Sequence, residues 1–83
     1  MKYVRGYVTM NVQVSPEGFI TPTSMIWEDG TEYGIEYVKR VKPVETISRG
    51  EEGLRYTVLI NGEERHFYTV GGRWFTPVPV YNS

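Results

Sequence analysis

Apolar and polar positions alternate along most of this chain. Over positions 3–14, Val4, Val8, Met10, Val12 and Val14 share one parity with Gly6 in register, and Tyr3, Arg5, Tyr7, Thr9, Asn11 and Gln13 take the other. A period of two is that of a half-buried β-strand. Positions 19–28, 31–42, 54–60, 63–70 and 73–80 read as further strands, rich in β-branched and aromatic residues. Ser15-Pro16-Glu17-Gly18 is a β-turn sequence. Asp29-Gly30, Asn61-Gly62 and Gly71-Gly72 separate later runs, and such dipeptides supply the positive φ that a two-residue hairpin needs. The pattern predicts an all-β, antiparallel chain with local connections.

The turns also predict registers. Asn61-Gly62 sets Tyr56 opposite Phe67 and Val58 opposite Arg65. Gly71-Gly72 sets Tyr68 opposite Phe75 and Thr69 opposite Trp74. A two-residue turn at Asp29-Gly30 would set Ile26 opposite Tyr33 and Ser24 opposite Ile35, with Tyr33, Ile35 and Tyr37 pointing inward. Val38 and Val41 break that alternation, which places a bulge or bend near positions 37–39 and lets one run serve two parts of a curved sheet. Pro77 lacks the N–H that should meet the strand near His66. The last run is therefore expected to leave its hairpin partner there and pair with the first strand, closing the meander, while Pro79 guards the open edge. Positions 44–53, with Gly50 and Gly53, read as a surface loop.

Eighty-three residues make one domain, 1–83, with a small core. Cysteine is absent, so seven Tyr, three Phe and two Trp must supply the core. The formal net charge of −1 argues against a non-specific DNA coat protein and leaves room for a local basic patch. No signal-peptide h-region and no apolar run of about 20 residues is present, which gives the expectation of a cytoplasmic protein without membrane contact.

Residues that could carry chemistry are few. His66 is the one histidine and has no nucleophile context, so it is expected on a rim. Glu28, Asp29, Glu32 and Glu36 cluster by the first hairpin, where water keeps carboxylates ionised. No catalytic, cofactor or metal site is expected, and the chain does not read as an enzyme. Lys39, Arg40 and Lys42 form the one basic run. With Tyr37 beside them they are the candidate nucleic-acid contact, since small barrels join basic tracks to aromatic platforms. Tyr3, Tyr7 and Tyr68 lie on polar-facing positions, and Trp27 and Trp74 sit near turns, where they plug the ends of a core or line a peptide groove. Tyr3, Tyr7, Tyr68 and Trp74 are the candidate partner contacts.

The alternation and bending resemble the SH3-like small-barrel class, with five or six strands. Ile26-Trp27-Glu28-Asp29-Gly30-Thr31-Glu32-Tyr33, then Arg55-Tyr56-Thr57-Val58 and Gly72-Arg73-Trp74-Phe75, resemble small uncharacterised proteins of Clostridia-type bacteria. They are more distantly similar to an actinobacterial family of unknown function, some of whose members are encoded near translesion-polymerase genes. The resemblance covers positions 18–75 and implies a shared fold without assigning site residues. The expected function is a non-catalytic interaction module for a protein partner, linked to DNA repair or mobile elements. The alternatives are direct nucleic-acid binding and a self-associating subunit paired through its terminal strand, as a monomer or weak homodimer.

Overall fold

Two of the three turn dipeptides adopt the geometry their sequence dictates. Asn61 and Gly62 have φ of 51° and 76°, and Gly71 and Gly72 have 60° and 81°, as a type I′ turn requires. The computed structural model describes residues 2–46 and 51–80. Its strands are β1 (Lys2–Val14), β2 (Ile20–Ile26), β3 (Glu32–Gly34), β4 (Tyr37–Thr46), β5 (Glu51–Ile60), β6 (Glu63–Val70) and β7 (Arg73–Val80). They form one antiparallel sheet in the order β3-β2-β1-β7-β6-β5-β4. The described residues contain no helix, hence none long and apolar enough to cross a membrane.

The expected third run is divided in two. Ile35 donates its N–H to Thr23 O at 2.9 Å, and the next residue, Glu36, donates to Leu59 O at 2.8 Å. The chain thus steps from one edge of the sheet to the other within two residues, and the sheet is curled into a half-barrel. The Glu36 carboxylate also accepts the Gly62 N–H at 2.8 Å, tying this step to the β5–β6 turn. The expected irregularity follows as a register shift between Val38 and Arg40 that leaves Lys39 unpaired in a bulge.

The concave side holds the core. Met25, Tyr56, Val58, Ile60 and Phe67 are buried, with Val8, Met10, Trp27, Tyr33, Ile35, Val38 and Trp74 packed on them. Gly6 permits this closeness, because a Cβ there would meet Val78 and approach the Trp27 ring.

Pro77 acts as its chemistry requires. β6 and β7 pair at Val70–Arg73, Thr69–Trp74 and Tyr68–Phe75 and no further, while β7 pairs with β1 from Trp74 to Val80. The His66 carbonyl, which the missing amide would have met, accepts the Thr76 hydroxyl at 3.0 Å instead. The terminal strand is therefore used within the chain.

Three expectations are corrected. The first hairpin has a three-residue loop. Trp27 N–H bonds Thr31 O and Gly30 N–H bonds Trp27 O, so Met25 lies opposite Tyr33 and Ile26 opposite Glu32. The cause is the Asp29 carboxylate, which accepts the Thr31 N–H at 2.9 Å and leaves positive φ to Gly30 alone (87°). Tyr37 is exposed rather than inward, since the step between edges turns it outward opposite Leu59. Positions 44–46 and 51–53 are strand, not loop, and the remainder of that expected loop, 47–50, lies outside the described residues.

Gly53 sits against backbone. A Cβ there would lie 2.7 Å from Thr69 O and 2.6 Å from the Val70 side chain, whereas one on Gly34 would meet nothing within 4 Å. Urea unfolding should therefore find Gly53→Ala destabilised by about 1–3 kcal/mol through overpacking, with Gly34→Ala within about 0.5 kcal/mol of the parent. Equal stabilities would refute the close approach at Gly53.

Candidate functional site

Strand alternation sends every second residue of the core-forming strands to the convex face. Chained through the registers, Tyr7, Phe75, Tyr68, Arg55 and Lys42 lie side by side on β1, β7, β6, β5 and β4. At the usual strand spacing this row is about 19 Å long. Arg5 and Arg73 flank its aromatic end, and Arg40, Thr57 and His66 flank its basic end.

The aromatic end is held by ring contacts. Tyr68 stacks on Phe75 with centroids 5.5 Å apart and an interplanar angle of 13°, and Tyr7 meets Phe75 edge-on at 5.7 Å. The Arg5 guanidinium lies 4.5 Å from the Phe75 centroid and that of Arg73 lies 3.7 Å from the Tyr7 centroid. Phe75 is consequently buried (6 % exposed) although it faces away from the core, while Tyr7 keeps 39 % of its surface. Stacking orients both guanidinium groups over the rings. Tyr3, 64 % exposed, extends the face along β1 opposite Pro79.

Among the described side chains, the basic end has few counter-charges. Five of the chain's nine Lys and Arg residues, Arg5, Arg40, Lys42, Arg55 and Arg73, share this face. Among the described residues, no carboxylate forms an ion pair with Lys42, Arg55 or Arg73. The Arg55 Nε is buried and has no hydrogen-bond acceptor. Glu64 is the acid that approaches, at 2.9 Å from Lys39 Nζ and 3.4 Å from Arg40 Nη2. The Lys39 hydrogen bond, then the Lys39 charge, hold the Glu64 carboxyl below the ordinary glutamate range.

The sequence candidates are therefore redistributed. Arg40, Lys42, Tyr3, Tyr7, Tyr37 and Tyr68 share the convex face, and Lys39 reaches it from the bulge. Lys39 and Arg40 are partly offset by Glu64, so the centre of positive charge among the described side chains shifts to Arg55 and Arg73, which look scattered in the sequence. Trp74 points to the concave side, with its ring 4.8 Å from Tyr56, which is the core-plugging position of the two expected for it. His66 is exposed, and its Nδ1 lies 3.0 Å from the hydroxyl of buried Thr57. Three of the four acids by the first hairpin are absorbed by local structure. Asp29 caps the turn, Glu36 holds Gly62, and Glu32 accepts the Ser24 hydroxyl at 2.7 Å, which in turn accepts from Asn11 Nδ2.

A hollow of about 530 Å³ opens on the concave side, where β6 and β7 diverge. Met25, Trp27, Tyr33, Phe67, Arg65 and Thr76 line it. No family model, no curated protein and no solved structure matches this chain.

Carboxyl titration followed by NMR provides a check on the Glu64 contacts. Glu64 should titrate below an ordinary glutamate, and Lys39→Met should return it toward that range. A group with a depressed folded-state pKa contributes stability above its unfolded value and loses it as pH falls through the folded one. The parent should therefore lose this contribution on acidification, and Lys39→Met should show less of that loss. An unshifted Glu64 in the parent would refute the contact.

Proposed function

We propose that this chain is a non-catalytic binding module whose convex sheet face takes single-stranded nucleic acid. One observation carries the reading: alternation gathers five cations around an aromatic row on one face, although the whole chain has a net charge of −1. Phosphates are drawn by such a track, and exposed rings give bases a stacking surface that does not depend on sequence. The exposed rings of this face, Tyr3 and Tyr37 above all, suit an unpaired strand better than a duplex, because only an unstacked base can lie on a ring. The expected link to DNA repair or mobile elements is compatible with this ligand.

The protein-partner reading is favoured by a separate observation, the concave hollow. Trp27, Tyr33 and Phe67 there could take an apolar side chain of an extended peptide.

Fluorescence anisotropy with short labelled DNA tests the first reading. If about five phosphates are contacted, log K should fall with log salt at a slope of about −3 to −4. Arg55→Glu and Arg73→Glu should each abolish most binding, and Tyr68→Ala should cost about 1–3 kcal/mol. Arg65→Gln, on the concave side, should change nothing. Absence of binding at low salt, or equal losses from Arg65→Gln, would overturn the reading.

A further inference from the structure

Lys39 and Arg40 share Glu64, Arg65 meets Glu63 at 2.6 Å, and Arg73 lies over the Tyr7 ring. Lys42 and Arg55 have no such partner. They lie directly opposite each other on β4 and β5, and among the described residues no carboxylate pairs with either. Side chains so placed have Cβ atoms about 5 Å apart, and like charges in that relation destabilise a sheet. The neighbouring pairs on this face do not relieve the repulsion. Val44–Gly53 on one side brings no acid, and Arg40–Thr57 on the other adds a third cation.

Arg55 is also a donor without an acceptor. Its Nε is enclosed against the sheet and unpaired, while its outer guanidinium nitrogens are not enclosed and find no acceptor among the described residues. An enclosed, unsatisfied donor is uncommon in folded proteins and calls for a cause. Enclosure holds the guanidinium in place, so less side-chain freedom is lost when its outer edge meets a ligand. Because β4 is the last strand of the sheet, no further strand covers the pair on that side.

We propose that Lys42 and Arg55 form a binding site for a phosphate dianion, the group that a phosphomonoester presents. Such a group carries about −1.5 to −2 charges at pH 7 and three strong acceptor oxygens, which matches two opposed cations without counter-charge. The outer guanidinium edge of Arg55 donates to the phosphate oxygens, and the Lys42 ammonium meets them as a point charge. A phosphodiester carries a single charge and leaves the pair half compensated. The dianion is either the terminal phosphate of a nucleic-acid strand or the phosphate of a small molecule. The first source rests on the single-strand reading and sets the end of the strand at the sheet edge, whereas the second is independent of it.

Thermal unfolding in inorganic phosphate and in chloride, at equal ionic strength, tests the site. The parent should melt at least about 2 °C higher in phosphate, because a ligand that binds only the folded state stabilises it. Lys42→Met should lose most of that difference. Lys2→Met, the same change of charge on β1 opposite Val80, should keep it. Lys42→Glu sets a carboxylate opposite Arg55, so it should melt higher than the parent in chloride and gain nothing from phosphate. Fluorescence anisotropy with short DNA, with and without a terminal phosphate, separates the two sources. If the source is a strand end, the parent should bind the phosphorylated strand at least about threefold more tightly, and Lys42→Met should bind both alike. Equal binding of the two strands, with the phosphate effect on melting retained, assigns the site to a small phosphorylated molecule. No difference between phosphate and chloride in the parent overturns the proposal, as does a difference that Lys42→Met and Lys42→Glu both keep. Strand binding that persists in that case leaves the single-strand reading standing, so the two fail separately.

Discussion

Two residues, Ile35 and Glu36, separate strands that lie at opposite edges of a seven-stranded sheet. Laid flat, those edges would be about 29 Å apart, and the short link from Gly34 to Tyr37 reaches at most about 11 Å. The sheet must therefore roll up. That one connection gives the molecule an inside and an outside. It brings Tyr33 and Ile35 onto the same core as Val38 and Val58. It also turns a set of alternating positions outward together. The hydrogen bonds from Ile35 and Glu36 to the two edges, and from Gly62 to Glu36, hold the link where it is needed.

Much of this was legible in the sequence because two turns leave the backbone little choice. Asn61-Gly62 and Gly71-Gly72 fix the registers of β5, β6 and β7, and Pro77 states where β7 must part from β6. Asp29-Gly30 misleads by one residue, because the Asp29 side chain competes for the Thr31 amide and builds a longer loop. The difference lies in side-chain chemistry at the turn, which a dipeptide rule does not weigh.

The convex site was half legible. Tyr68 opposite Phe75 follows from a turn, and Arg55 opposite Tyr68 follows from its neighbour. Joining Tyr7 and Arg5 to that row needs the β1–β7 register, which no local turn sets, since the two strands stand at opposite ends of the chain. The partial offset of Lys39 and Arg40 by Glu64 depends on a bulge and on a contact across three strands. For Trp74 the sequence left two readings, a plug at the end of the core or a groove contact, because its proximity to a turn says nothing of which face it takes. Parity with Thr76 and opposition to Thr69 decide that.

With the edge pair β2–β3, the β6–β7 ladder is the shortest in the sheet, and it lies in the sheet's interior. Three residue pairs and one hydroxyl join the strands on either side of it, whereas β5 and β6 are paired along seven positions. Fluctuations that expose the interior should start at this seam, with β1, β2, β3 and β7 moving as one cooperative unit and β4, β5 and β6 as another. Faster amide-proton exchange at Phe75 than at Val58 would be its signature, and equal rates would show that the molecule opens as a whole.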